Sequence, residues 1–261
     1  VVRLVGECRD LGDDRLAWRG RLTEGIAKMI DADLVFSGEV AGCVALRPRG
    51  LGSVEWGWEN GFDREFFGRQ TAIMLEDPGY YPTMNLYFAR FASDDGVCLS
   101  RRQLLKDRAW YASDDYQRVH RGLGIDHMLW CFSELKRSAA SDVSAGVVVN
   151  RARGRRDFKA RERLLVRETH AAVARHIGGA LAGHEDVSAR ALPPRARQVL
   201  ACLLQGDTDK QVAARLRLSV LTVNSYTKAV YRHFGVRGRA ELMARWIRRG
   251  WGAGFSWDEE P

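Results

Sequence analysis

Residues 192–246 read LPPRARQVLACLLQGDTDKQVAARLRLSVLTVNSYTKAVYRHFGVRGRAELMARW, and their punctuation predicts four short helices. Pro193-Pro194 opens the first, because a proline in the first turn loses no intrahelical hydrogen bond. Val199, Leu200, Leu203 and Leu204 recur at helical spacing and make one apolar stripe, which Gly206 ends. Thr208, with Gln211 three residues on, is a capping box for a second helix that buries Val212, Ala213 and Leu216. Arg217-Leu218-Ser219 interrupts the chain, and Ser219 is a good N-cap for a third helix. There Val223, Tyr226, Val230 and Phe234 share one side, and Asn224, Ser225, Lys228 and Arg232 the other. Gly235 ends it, and Arg239–Trp246 supplies the fourth.

Two short helices joined by a tight turn, the second long and polar on its outer face, form a helix-turn-helix. Such a unit lays its second helix in the DNA major groove, N-terminal end towards the bases. The plainer alternative is a four-helix satellite domain whose polar face is simply solvated. Charge favours the first. Residues 191–250 hold twelve Lys/Arg against three Asp/Glu, whereas residues 1–190 hold 29 against 27. Most of the positive excess therefore sits on the candidate DNA-binding unit, as phosphate neutralisation requires.

The stretch resembles the C-terminal DNA-binding domain of LuxR-type transcriptional regulators. The matching positions are Leu192, Arg195, Val199, Leu200, Gly206, Thr208, Lys210, Val212, Ala213, Leu216, Leu218, Ser219, Thr222, Val223, Gly235, Val236, Arg239, Glu241 and Leu242. Pro193 stands where the family has an N-cap Thr, Ala196 and Gln198 replace two glutamates, Tyr226 replaces His, and His233 replaces Lys. The resemblance covers about the last quarter of the chain. It implies that Asn224, Ser225 and Lys228 face base edges, and our candidates for phosphate contacts are Lys210, Thr222, Arg232 and Arg239. It further implies homodimers pairing partly through the fourth helix, two half-sites about one DNA turn apart, and work at promoters with RNA polymerase. Region four of sigma factors shares the Leu-Pro-x-Arg opening and the helix-turn-helix. The Phe-Gly-Val-x-x-Arg-x-Glu-Leu continuation at Phe234–Leu242 is that of the LuxR-type fourth helix, and nothing upstream resembles a polymerase-binding bundle.

At 261 residues and 46% hydrophobic, the chain is long enough for two domains with sizeable cores. No apolar run approaches a membrane span, and Val1-Val2-Arg3 shows no signal-peptide pattern. The five cysteines, Cys8, Cys43, Cys98, Cys131 and Cys202, are scattered and never in Cys-x-x-Cys, which suggests buried, reduced thiols in a cytoplasm and no structural zinc.

Upstream, residues 1–12 carry no assignable pattern. Asp13/Asp14 cap a helix over Arg15–Ile30 with Leu16, Leu22, Ile26 and Ile30 on its apolar side. Asp33–Val40 reads as a strand with Gly42–Arg47 as its extension, and Ser53–Trp58 as a second with Val54, Trp56 and Trp58 on one face. A helix over Asp63–Met74 and a loop over Asp77–Pro82 follow; Asn85–Phe91 fits helix and strand equally. Ser100 and Ser113 cap short helices ending near Lys106 and Arg121, and Ile125–Phe132 and Ser144–Asn150 read as strands. Helices and strands without regular alternation indicate an α+β domain. The pattern resembles, in architecture only, GAF/PAS-like sensory domains, in which an antiparallel sheet carries helices and cups a ligand. Arg151, Arg153, Arg155 and Arg156 form a basic patch. Asp157 then caps a long helix over Phe158–Leu181, striped by Leu165, Ala172, Val173, Ile177, Ala180 and Leu181. That helix reads equally as one packed on its own sheet and as a dimer helix joining sensor to DNA-binding domain. The expected organisation is a sensory domain over 1–157, the connecting helix over 158–182, a linker over 183–191, the helix-turn-helix domain over 192–250 and a tail over 251–261.

Phosphate-loop, His-Glu-x-x-His and Gly-x-Ser-x-Gly patterns are absent, and Gly50-x-Gly52 and Gly122-x-Gly124 read as turns. His120, His127, His170 and His176 lack metal-ligand spacing and read as structural. No paired acids end a strand, which argues against a phospho-acceptor receiver. The aromatics Trp56, Trp58, Tyr80, Tyr81, Trp110, Tyr111 and Trp130 are either core or the lining of an apolar ligand pocket. The Trp-x-x-x-Tyr and Asp arrangement of acyl-homoserine-lactone receptors is not recognisable, so that ligand is not implied. The expectation is a cytoplasmic, non-enzymatic regulator without cofactor or metal: an N-terminal α+β sensory domain, taking an unknown small molecule or partner, ahead of an all-α four-helix domain that binds double-stranded DNA. The competing reading is an enzymatic or ligand-binding domain with an accessory DNA-binding unit.

Overall fold

The structure, a computed structural model, describes residues 1–76, 82–135, 142–184, 186–187 and 189–249. Of the expected loop over Asp77–Pro82, residues 77–81, with Tyr80 and Tyr81, lie outside the described residues, as does the tail over 251–261, whereas Pro82 opens a helix. The chain forms two compact units. The first comprises Val1–Cys8 and Leu16–Ile177, the second Arg9–Arg15 and Gly178–Pro261. Among the described residues no helix is long and apolar enough to cross a membrane.

Residues 1–177 form α1 (Val2–Asp10), α2 (Arg15–Ile30), β1 (Leu34–Ala41), β2 (Arg49–Trp56), α3 (Arg64–Glu76), α4 (Pro82–Phe91), β3 (Cys98–Ser100), α5 (Arg101–Leu104), α6 (Asp107–Tyr111), α7 (Arg121–Leu123), β4 (Ile125–Glu134), β5 (Val143–Ala152) and α8 (Ala160–Ala174), most of them within the first unit. A π-helical turn over Tyr116–His120 leads into α7. The strands form one antiparallel sheet in the order β2-β1-β5-β4-β3. This is the expected α+β architecture, an antiparallel sheet carrying helices.

Register decides which side chains meet. Phe36 pairs with Val148, Val148 with Trp130, and Trp130 with Leu99, so these four share a face. That face builds the main core with Leu34, Met128 and Phe132, closed by Tyr87, Phe88 and Phe91 of α4 and by Trp110 and Val119. The alternate row, Ser37, Val147, Cys131 and Cys98, points the other way. There α2 is anchored by a buried ion pair between Arg19 and Glu39, and α8 by Cys98 Sγ donating to the Arg163 carbonyl. With helices on both faces, β4 and β5 are buried on both sides, and their apolar runs replace polar–apolar alternation. Gly146 serves packing: a Cβ there would lie 2.3 Å from the Phe132 ring.

Several expectations need correction. Residues 2–10 form α1, held by Leu4 and Cys8 rather than by any long periodic pattern. On α2 the buried side includes Trp18, not Leu16, which is 57% exposed. Gly42–Arg47 is a turn, with Gly42 and Leu46 both at positive φ, and does not extend β1. Gly50 and Gly52 lie inside β2, at the irregularity opposite Glu39 and Val40, rather than in a turn. Gly57, at φ 103, ends β2 before Trp58, which belongs to a 3-10 turn. Asn85–Phe91 is helical, within α4. The long helix over Phe158–Leu181 is α8 alone. It ends at Ala174 with Arg175 as its C-cap, and beyond it Gly178, at φ 83, turns the chain away from helical geometry. At its start Lys159 is the N-cap, its amide donating to the Glu162 carboxylate at 2.7 Å, while Asp157 accepts from the adjacent Phe158 amide. The buried residues of α8 are Val166, Thr169, His170, Val173 and Ala174, so Val173 of the expected stripe faces inward while Leu165 and Ala172 are half-buried.

The basic patch is largely consumed by the fold. Arg151 is fully buried; Arg155 pairs with Asp31 and Asp33, and Arg156 with Glu162.

His120 and His170 are buried, and loss of hydration pushes their pKa values down to about 3 and about 4. An unfolded histidine titrates near ~6.5, so below that pH the unfolded chain binds protons that the folded chain refuses. The stability they contribute is whole above about pH 6.5 and falls by roughly 1.4 kcal/mol per pH unit for each histidine as pH drops towards the folded values. The thermal midpoint of this unit should therefore fall steadily from pH 7 to 5, and less steeply in His170→Gln. A flat midpoint across that window would contradict buried neutral histidines.

Candidate nucleic-acid interface

The second unit carries α9 (Pro194–Leu204), α10 (Asp209–Leu216), α11 (Val220–Phe234) and α12 (Arg239–Arg249), with a 3-10 turn at Ala189–Ala191. Pro193 is the N-cap of α9 and Pro194 its first residue. Thr208 and Gln211 form a reciprocal capping box: the Thr208 amide donates to Gln211 Oε1 at 2.8 Å, and the Gln211 amide to Thr208 Oγ1 at 3.4 Å. Arg217, at φ 53, makes the turn between α10 and α11. Ser219 then accepts from the Thr222 amide at 3.0 Å, which satisfies an otherwise orphaned N–H at the start of α11. Gly235 ends α11 in the left-handed region.

Two apolar clusters hold these helices. Val199, Cys202, Leu203, Val212, Ala213 and Val223 clamp α9, α10 and α11 into a helix-turn-helix. Leu200, Val230, Phe234, Leu242 and Trp246 seat α12, and Ala182 and Ala189 belong to the same cluster. The early segment Arg9–Arg15 joins this unit as well, where the Ala182 amide donates to the Gly12 carbonyl at 2.7 Å. No local pattern near residue 12 announces a partner so far along the chain.

With Val223, Thr227, Val230 and Phe234 buried, the opposite side of α11 is left to solvent. Asn224 is half-buried there, and Ser225, Lys228 and Arg232 are exposed. Ser225 Oγ donates to the Leu221 carbonyl at 3.1 Å, so its hydroxyl proton is engaged and its lone pairs remain available. Lys210 is exposed on the first turn of α10. Among the described residues, Lys210, Lys228 and Arg232 make no ion pair. Thr222 lies within hydrogen-bond distance of Ser219 Oγ, 2.7 Å from its own Oγ1, and so belongs to the cap.

Arg239 departs from its expected role. Its guanidinium donates to the Leu203 carbonyl in the last turn of α9 at 2.6 Å and to the Asp207 carbonyl in the loop that follows at 2.5 Å. It pins α12 to the end of α9 and the loop after it, which commits two of its five N–H donors. Arg245 does the same for the Phe234 carbonyl at the end of α11. Sequence reading missed both roles, because arginine looks alike in either. Arg239→Ala should destabilise this unit by about 2 kcal/mol, as should Arg239→Lys, whose single nitrogen cannot span two carbonyls. The salt dependence of DNA binding should stay as in the parent. A flatter salt dependence with unchanged unfolding would make it a phosphate contact instead.

Of the aromatics expected as core or pocket lining, Trp58, Trp110 and Trp130 meet in the main core of the first unit. Trp56 pairs with Val35, on the sheet face away from the main core. Trp58 and Trp130 do pack into that core, Trp58 against Phe36 and Phe67. Trp110 and Tyr111 are engaged by one carboxylate: Trp110 Nε1 donates to Asp126 Oδ1 at 3.1 Å and Tyr111 Oη to Asp126 Oδ2 at 2.8 Å. Arg101, itself buried, completes the group 3.2 Å from Asp126. A cleft of about 490 Å³ lies elsewhere, between Asp95, Ser133, Glu134, Arg167 and Arg175, and none of these aromatics lines it.

Residues 190–245 match the family described as bacterial regulatory proteins, luxR family. A probable HTH-type transcriptional regulator, GfsR of Streptomyces halstedii, is 30% identical over 84 residues, which is 31% of this chain and 35% of that protein. The chain thus matches about a third of its curated relative's length. Among solved structures, Escherichia coli SdiA is similar with a TM-score of 0.42 and 14% identity, covering 92% of this chain and 93% of that one. An N-acylhomoserine lactone dependent LuxR family transcription factor, CepR2 of Burkholderia cenocepacia, gives 0.38 and 16%, covering 66% and 90%. At these scores the paths of the chains agree only loosely.

Proposed function

We propose, because residues 190–245 form a LuxR-family helix-turn-helix domain, that this protein is a sequence-specific DNA-binding transcriptional regulator acting in the cytoplasm. The observation that carries the reading is α11, whose buried side is fixed by Val223, Val230 and Phe234 while Asn224, Ser225, Lys228 and Arg232 stand together on the free side. Asn224 is suited to the N6 and N7 edge of adenine, and Lys228 to the O6 and N7 acceptors of guanine. Lys210 and Arg232 neutralise phosphates, which positions the domain without specifying sequence. The regulator works as a homodimer at promoters served by RNA polymerase. Ile247, 72% exposed on α12, supports pairing through that helix. The α+β unit is the sensor, and a small molecule or partner bound there changes dimer geometry or the availability of α11.

The test is binding of the full chain to duplex DNA across a salt series. The logarithm of affinity should fall linearly with the logarithm of salt concentration, by about 0.9 for each phosphate neutralised. Lys210→Ala should weaken all sequences alike and reduce that slope by about one per subunit. Lys228→Ala should weaken a selected operator by about 1–3 kcal/mol more than random duplex. Binding indifferent to salt, or to both substitutions, would overturn the reading.

A further inference from the structure

The free side of α11 has an apolar member. Leu221, on the first turn, is 78% exposed, and Val220 beside it is 41% exposed. Leu221 precedes Asn224, Ser225, Lys228 and Arg232 by three, four, seven and eleven residues, which puts it at the N-terminal end of the same stripe. Its backbone is fixed there: the Thr222 amide is capped by Ser219, and the Leu221 carbonyl accepts from Ser225 Oγ. A helix-turn-helix presents the N-terminal end of its second helix to base edges. In the major groove one base feature is apolar, the C5-methyl of thymine.

We infer that Leu221 is a specificity-determining residue that packs on the C5-methyl of a thymine. The inference rests on the DNA-binding reading above and adds to it a contact made by apolar burial rather than by hydrogen bonding. Leu221 and Asn224 are three residues apart, about 4.5 Å along the helix axis, so the thymine lies within a base pair or two of the base read by Asn224. Ser225, with its proton committed to the Leu221 carbonyl, presents acceptor lone pairs on the same side.

The experiment selects an operator from random duplex with the full chain, then replaces each of its thymines singly by uracil, which removes only the methyl. Burying one methyl contributes about 0.8 kcal/mol, roughly fourfold in affinity. One thymine in each half-site should therefore show a loss of roughly threefold to tenfold. Leu221→Ala should abolish that sensitivity to uracil while its thermal midpoint stays as in the parent. An operator with no uracil-sensitive thymine, or the same sensitivity retained in Leu221→Ala, overturns the inference and leaves the DNA-binding reading intact. Failure of the parent chain to bind any duplex at low salt overturns both.

Discussion

Replacing Arg151 with methionine should cost the N-terminal unit about 3–5 kcal/mol, the range for breaking a buried charge pair from one side. Arg151 has no exposure, and its guanidinium ties β5 to three other parts of the fold. Nε donates to the Asp31 carbonyl at 3.0 Å, Nη2 donates to the Ile30 carbonyl and sits 3.1 Å from Glu162 Oε1, and Nη1 reaches the Arg156 and Asp157 carbonyls at 3.3 Å. It also lies 4.5 Å over the Phe158 ring. Methionine restores the apolar volume and none of the donors, so the Ile30 carbonyl at the end of α2 loses its guanidinium partner, while the Asp31 carbonyl keeps only Arg155 at 3.1 Å. Lysine keeps the charge but offers a single nitrogen and should recover little. Amide hydrogen exchange in β4 and β5 is the direct measurement: protection should fall by two orders of magnitude or more in Arg151→Met, since ~1.4 kcal/mol is tenfold. Protection equal to the parent would mean that Arg151 is replaceable packing.

Phe234→Ala should cost the C-terminal unit a similar amount, about 3–5 kcal/mol, through lost burial and the cavity left behind. Phe234 is 1% exposed in the cluster that seats α12, and its ring meets Trp246 edge-on at 5.9 Å. It is also the last residue of α11, so its loss frays the helix that presents Asn224 and Lys228. Protection of α11 amides should fall, and affinity for duplex DNA with it, while β4 and β5 keep their protection. Undiminished DNA affinity would separate the recognition surface from this core and overturn the account of how α11 is held.

Most of the candidate interface was legible because its signals are local. The Thr208–Gln211 box, the Ser219 cap, the proline opening of α9 and the glycine end of α11 each act within a few residues, and the structure contains all of them. The same holds for the two sides of α11, where a strong helical period separates core from free face. Leu221 was passed over because hydropathy assigns a leucine to the interior, and only its surroundings place it outside.

The sequence by itself determined the type and order of most elements, the two-part architecture and the residues that α11 presents, since capping and periodicity are properties of neighbours along the chain. The tertiary structure alone decided what depends on partners far away. Arg239 holds carbonyls 32 and 36 residues back, a tie that no local pattern announces. Arg151 bonds the Ile30 carbonyl across 121 residues and turns an apparent surface patch into a buried tie. Trp56 and Trp58 look like neighbours on one strand face until Gly57 ends β2 between them. In each case a charged or aromatic side chain has the same local signature whether it faces solvent, a carbonyl or a core, and the free energy that chooses among them comes from groups the fold brings from elsewhere.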